Sequence, residues 1–421
     1  MTVVSLLCFA IALAIILSCL RRGADILSPA RVFGFIWSVS IGLADLKLSR
    51  LQHDWDLVEW ILLLTGVSSF LIGISYANML DQGDRHFSLK QRRLALRARP
   101  IEDRVLFRLI VITFLIYAVS FSASVWINGF VPLFSRNPTI MRTKFTVFGI
   151  GLLNHAAPSI LFFIVQYIFL VKDRRPEKIT LGIVFLTTVT SYFLLLQRFD
   201  FAIAAVVSLV FMYYSSNVLR VRNVVVIGLV FVGLFYGISS IRLVGHIANY
   251  GYIVAKMKFP VQYAFITEPY MYIVTNLENF VHAASRLDQF TLGYYTFDFI
   301  TALTGLKHWV ADYYQLVESP YMISGYNTYT FLWPFYRDFG ILGLLLLPLV
   351  EGFIISRMYS VLRRDPSILR AAMYGIAVFV MLISFFNHAP SLLHFVFNMG
   401  LIYFVNRSVM RQPVTNATVS P

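Results

Sequence analysis

The chain is short of charge and short of cysteine, and each shortage removes a class of protein. Only 13% of its 421 residues are Asp, Glu, Lys or Arg, against about 25% in an ordinary soluble domain. So few charges cannot cover a water-facing surface, which excludes a freely soluble globule. The two cysteines, Cys8 and Cys19, share one apolar run, which excludes a disulfide framework and a cysteine metal site. The eight histidines form no H-E-x-x-H or comparable ligand spacing, so neither a metal site nor a cofactor is expected. Repeats, direct or inverted, are lacking, and the polar tail RQPVTNATVSP is the single low-complexity tract.

What is there is apolar: 58% of residues are hydrophobic and the mean hydropathy is +0.72. A helix needs about 20 mostly apolar residues to cross a bilayer core. Eleven runs qualify, near 2–20, 30–46, 57–80, 105–127, 148–171, 179–197, 201–219, 223–241, 339–359, 371–387 and 392–407. The expectation is an all-α polytopic membrane protein of about eleven transmembrane helices. Arg21-Arg22 follow the first run with no A-x-A-like cleavage site, so it reads as a retained helix and not a signal peptide.

Lysine and arginine set the orientation. With Arg21-Arg22 inside, the inner loops collect 23 of the 35 basic residues but 8 of the 21 acidic ones, and the outer loops hold 12 of each. The excess positive charge is therefore a topological signal, with the N-terminus periplasmic and the C-terminus cytoplasmic. It is not a nucleic-acid footprint, although KQRRLALRAR (90–99) alone invites that reading; such a run beside a membrane helix anchors to anionic lipid. The domains expected are helices 1–8 over 1–241, a large periplasmic loop over 242–338, helices 9–11 over 339–407 and a tail over 408–421. A long structured loop on one face of a bundle usually carries function. Within it PVQYAFITEPYMYIVTNLENFVHAASRL (260–287) reads as a helix too polar to span, yet apolar enough to lie against the membrane or cap the bundle.

Three motifs are decoys. The DFG at 338–340 has no Gly-rich loop, strand lysine or H-R-D upstream, so it is no kinase element. DWD at 54–56 spells a D-x-D, but the chain leaves no room for a nucleotide-sugar domain, and it reads as a hydrated loop. HAPSLLH places His388 and His394 about a polar turn.

The better signal is Arg198, Arg242 and Arg337, each at the outer end of a helix. Three guanidiniums at one membrane depth can converge on a phosphate, for which arginine's planar fork is suited. The plainer alternative is that each snorkels to headgroups or pairs with a neighbouring aspartate such as Asp200 or Asp338.

The pattern N-T-Y-T-x(7)-D-F-G-x-x-G (327–343), with EPYMYIVTNLENF (268–280) and SPARVFGFIWSVSIGL (28–43), resembles the Wzy-type O-antigen polymerases, a family of oligosaccharide repeat-unit polymerases. The resemblance implies a GT-C-like glycosyltransferase of the bacterial inner membrane. Its substrates would be undecaprenyl diphosphate-linked oligosaccharides, its setting membrane lipid, and its partner a polysaccharide chain-length regulator; it would need no metal. Arg198, Arg242 and Arg337 are then candidates to hold the diphosphate. Glu268, with Asp338 and His246 as rivals, is the candidate base for the acceptor hydroxyl. Tyr270, Asn276 and Asn327 are candidate saccharide contacts, and tyrosines 313, 314, 321, 326 and 329 a candidate groove. Structural readings compete: Glu268 can simply begin a helix, and Asp338 can cap the ninth helix or pair with Arg337. The family's Arg-x(10)-Gly motifs are missing, since Leu209 and Ile253 stand where the glycines after Arg198 and Arg242 belong. An O-antigen ligase-like transferase and a polysaccharide transporter or flippase remain alternatives.

Overall fold

A computed structural model describes residues 2–21, 23–81, 86–98, 101–145, 147–171, 174–197, 199–216, 247–287, 289–307, 309, 322–323 and 328–410. Among them every regular element is helical, and extended pairing is limited to two isolated bridges, Ser49 with Met257 and Ile101 with Met410. The principal helices are α1 (Val3–Cys19), α2 (Pro29–Asp45), α3 (Leu57–Leu80), α4 (Leu89–Ala98), α5 (Asp103–Asn128), α6 (Ala157–Leu170), α7 (Arg175–Leu194), α8 (Phe199–Ser215), α9 (Ile247–Val254), α10 (Thr267–Ala284), α11 (Leu332–Arg364), α12 (Ile368–Ile383) and α13 (Leu393–Val409).

Five stretches are long and apolar enough to cross a membrane: Leu57–Leu80, Asp103–Phe134, Ile150–Leu170, Arg175–Leu194 and Leu332–Arg364. Helices α1, α8 and α12 are apolar but shorter. Leu13, Leu17, Val119, Ile183, Leu186, Leu342 and Leu346 turn outward from these helices. Apolar side chains on the outside suit a hydrocarbon surrounding, and the chain is a helical multi-pass membrane protein. A described helix overlies ten of the eleven runs expected from hydropathy. The remaining run, 223–241, lies outside the described residues.

The chain divides into two compact units: Met1–Leu89 with Arg222–Arg364 and Ile376–Val396, and Lys90–Val221 with Asp365–Gly375 and Phe397–Pro421. In the first unit α3 and α11 approach so closely that glycine is required on both. A Cβ on Gly73 would stand 2.0 Å from the Leu349 carbonyl oxygen, and one on Gly352 would stand 2.2 Å from that of Phe70. In lipid, where apolar burial between helices gains little, small residues that let backbones touch supply the packing energy. Phe33 stacks on Phe70 with ring centroids 3.9 Å apart, and Phe331 meets both edge-on. Trp37 Nε1 donates to Ser384 Oγ at 2.8 Å. Asp45 ends α2 and accepts from Ser5 N (3.0 Å) and Ser5 Oγ (2.6 Å), satisfying the first turn of α1.

Polar pairs between helices tie the second unit. Ser120 Oγ donates to Asn154 Oδ1 (2.7 Å), whose Nδ2 donates to Ser124 Oγ (2.8 Å). Ser159 Oγ donates to Asn398 Oδ1 (2.6 Å), and Gln166 Nε2 to Asn406 Oδ1 (2.6 Å). His155 Nδ1 lies 2.7 Å from the buried Asp200, which the Tyr192 hydroxyl also contacts.

Candidate functional site

The Arg337-Asp338-Phe339-Gly340 stretch does not open a helix, as the hydropathy pattern suggests; it lies inside one. Helix α11 starts at Leu332, five residues earlier than Arg337 and before the apolar run at 339, and breaks at Gly340, whose φ of 59° and ψ of −143° suit glycine alone. A Cβ there would also stand 2.9 Å from the Phe290 ring. The break frees the carbonyls of Arg337 and Asp338 from their own helix. Thr291 N takes the first at 3.1 Å and Leu292 N the second at 3.2 Å, so the loop before Phe297 is stitched into the gap.

Asp338 completes that stitching and does not pair with Arg337. Its fully buried carboxylate accepts from Thr291 Oγ1 (2.5 Å), Tyr295 N (3.2 Å) and Thr296 N (2.6 Å). Among the described residues no acid lies within salt-bridge distance of Arg337, although the residue is 4% exposed. Its Nη1 donates to the Gln289 carbonyl at 3.0 Å, its guanidinium carbon lies 6.0 Å from the Tyr295 ring centroid, and Nε finds no hydrogen-bond partner. A buried guanidinium carries a desolvation penalty that an acid usually offsets; here the offsetting anion is not supplied by the described residues.

A second polar assembly of the same unit sits where α10 packs against α2 and α3. Helix α3 begins with a capping box in Asp56-Leu-Val-Glu59: Glu59 N donates to Asp56 Oδ1 (2.8 Å) and Asp56 N to Glu59 Oε2 (3.0 Å). The second aspartate of DWD is thus an N-cap. Helix α10 is buried continuously from Val274 to Val281, deeper than a helix lying on a surface. Its Glu278, fully buried, binds Lys47 Nζ (2.7 Å) and Gln52 Nε2 (3.3 Å) and lies 3.1 Å from His53 Nδ1. Lys47 is held at φ 49°, an unfavourable backbone for a non-glycine residue, with its ammonium 4.2 Å above Trp55.

Burial pushes the Glu278 carboxyl up, but the His53 and Lys47 contacts outweigh it and hold it below the usual carboxylate range. The Glu278 carboxylate, 3.1 Å from Nδ1, raises His53 against the opposing effect of burial, with Glu59 adding to the rise. Burial, together with nearby Arg286, lowers His282.

The described candidates are therefore divided. Arg337 and Asp338 are adjacent in chain, but their side chains bind the preceding loop and not each other. Tyr270 is buried and holds the turn after α2: its hydroxyl donates to Gln52 Oε1 (2.8 Å) and accepts from Leu48 N (3.0 Å), and burial pushes it up to about 12. Asn276 is buried too, with Nδ2 donating to the Tyr272 carbonyl at 2.5 Å and Oδ1 accepting from Thr328 Oγ1. Glu268 is half-buried in the first turn of α10, where a carboxylate is favoured by the helix dipole. Tyr329 stacks on Trp333 at 4.2 Å. Arg198, Arg242, His246 and Asn327, with tyrosines 313, 314, 321 and 326, lie outside the described residues.

Sequence reasoning passed over Lys47, His53, Glu59, His282 and Arg286. One signal was present: Glu278, His282 and Arg286 recur at i, i+4 and i+8, the spacing of a single helix face, of which Glu278 and His282 lie on α10 and Arg286 just past its end. Another ionisable pair lies on α11 and beyond, where His388 Nε2 is 3.7 Å from Glu351 Oε1 and neither oxygen of Glu351 finds a hydrogen-bond partner. No protein-family model, no curated protein and no solved structure matches the chain.

Proposed function

We propose that the chain is a glycosyltransferase that polymerises lipid-linked oligosaccharide repeat units into O-antigen or a related surface polysaccharide. In this reading it spans the bacterial inner membrane about eleven times in a GT-C-like arrangement, with its N-terminus and the segment between spans eight and nine on the periplasmic side. The observation that carries the proposal is Arg337: a guanidinium 4% exposed, without an acid among the described residues and with Nε unbonded. An anionic substrate group is the partner that such a charge lacks, and a lipid-linked diphosphate is anionic at the required depth.

The chemistry asks little else of the protein. The acceptor hydroxyl oxygen bonds to the anomeric carbon as the bond from that carbon to the diphosphate oxygen breaks. The electron pair leaves with the diphosphate, whose charge Arg337, with Arg198 and Arg242, stabilises. A direct in-line attack inverts the configuration at that carbon. The hydroxyl proton goes to a carboxylate or imidazole, for which Glu268 and His246 remain. Asp338 fits this role poorly, because three donors already occupy its buried carboxylate.

A transporter is the second reading, favoured by one observation: Glu351, within α11, carries two unbonded carboxylate oxygens near His388, as proton-coupled carriers require. Surface-polysaccharide profiling of a deletion strain separates the cases. A polymerase deletion leaves a single capped repeat and no ladder; loss of every attached repeat points to a ligase or a flippase and overturns the proposal.

A further inference from the structure

His53, Glu59 and His282 come from the turn after α2, the first turn of α3 and the last turn of α10, and each offers a ligand atom within 4.8 Å of the others. His53 stands between two carboxylates. Its Nδ1 lies 3.1 Å from Glu278 Oε2, and its Nε2 lies 2.9 and 3.0 Å from the two oxygens of Glu59. The Nε2 edge of the ring therefore faces two acceptor oxygens, an arrangement that stands only with a cation, a proton or a metal ion, between them. The order carboxylate, imidazole, cation is how metal-binding histidines are set: the second nitrogen donates to an acid, which fixes the tautomer and raises the basicity of the ligand. Glu278 is itself fixed by Lys47 and Gln52. Glu59 is aimed by the Asp56 N–H at Oε2 and by Ser285 Oγ at Oε1 (3.3 Å). The separations of Nε2 from Glu59 approach the roughly 3.3 Å expected between ligand atoms about 2.0 Å from a tetrahedral zinc ion.

We infer that His53, Glu59 and His282 form a binding site for a divalent transition-metal cation of the zinc type, with Glu278 as the acid that orients His53. The inference rests on ligand geometry and is independent of the glycosyl-transfer reading. Two histidines and one carboxylate leave a fourth position open, and the ion ties α10 to the start of α3. One cation competes with it. Arg286 Nη1 lies 2.7 Å from His282 Nδ1 and 4.0 Å from Glu59 Oε1. A guanidinium can only donate, so the His282 lone pair points at Arg286, and the metal takes that place when the guanidinium, whose side chain is 45% exposed, swings out to solvent.

The test uses the untagged full-length protein in detergent micelles, stripped with EDTA and then given Zn²⁺ alone, with bound metal measured against a chromophoric chelator. One zinc per chain is expected in the wild type. His53→Ala and His282→Ala should lose it, Glu278→Gln should weaken it about 10–100-fold, and Arg286→Gln should bind more tightly because the competing cation is gone. Arg286→Gln alters an exposed side chain, so its result does not depend on a core substitution folding. Absence of stoichiometric zinc in the wild type overturns the site and leaves a proton as the cation between His53 and Glu59. Binding undiminished in both histidine variants, or no tighter in Arg286→Gln, overturns it equally.

Discussion

Replacing Arg337 with methionine separates a guanidinium kept for a ligand from one kept for the fold. Methionine retains an unbranched side chain and removes the charge. The losses are one charged hydrogen bond to the Gln289 carbonyl, about 1.5–3 kcal/mol, and the approach to Tyr295, about 0.5–1 kcal/mol. Gln289 is exposed, so its carbonyl returns to water. Against these losses stands the desolvation of a charge that is 4% exposed and has no acid among the described residues, a penalty of several kcal/mol in real proteins. The two sides nearly cancel, so Arg337→Met should unfold within roughly 3 °C of the wild type. Had Arg337 been half of a buried structural ion pair, its loss would cost about 3–5 kcal/mol. Thermal unfolding in micelles, followed by tryptophan fluorescence, measures the first quantity, and the polysaccharide ladder of a complemented deletion strain measures the second. The expected outcome is an unchanged melting temperature with the ladder lost. A ladder of normal length, or a melting temperature lower by more than about 6 °C, refutes the assignment of Arg337 to a substrate diphosphate.

Asp338→Ala should strand the buried amide of Thr296 at about 1–3 kcal/mol and release the half-buried amide of Tyr295, read as faster hydrogen exchange at both. Asp338→Asn, which keeps an acceptor oxygen, should retain a ladder; an Asn variant that is stable but inactive would restore Asp338 as a catalytic candidate. Tyr270→Phe should lower stability by about 1–3 kcal/mol through the unpaired Leu48 amide while the ladder persists, and a stable variant without a ladder would assign the hydroxyl to substrate instead. Gly352→Ala forces a methyl against the Phe70 carbonyl and should cost at least about 1–3 kcal/mol, seen as a lower melting temperature; wild-type stability would refute the close approach of α3 and α11.

The helices were legible because hydropathy is local: ten of the eleven apolar runs carry a described helix, although the run at 339–359 extends to Leu332–Arg364 and the run at 148–171 is divided among shorter helices. The Arg337-Asp338 stretch was misjudged at its start because the helix is held there by tertiary partners. Its N-terminal turns, from Leu332, are rich in aromatic residues, and Phe335 there packs against Phe331 and His388 while Phe331 meets Phe33 and Trp37. Nothing in the local sequence marks the DFG glycine as a helix break, yet its positive φ is what gives two carbonyls to Thr291 and Leu292.

The sequence by itself determined that this is an apolar helical protein and roughly where its helices run, since both follow from composition and from runs of neighbours. It also marked Arg337 as a candidate. Only the tertiary structure decided that Asp338 turns away from Arg337 to hold a loop more than forty residues upstream, and that His53, Glu59, Glu278 and His282 meet. Those residues lie more than two hundred positions apart in two groups. No spacing rule reaches that far, because it is the packing of α10 onto α2 and α3, and not the order of residues along the chain, that brings their charges within bonding distance.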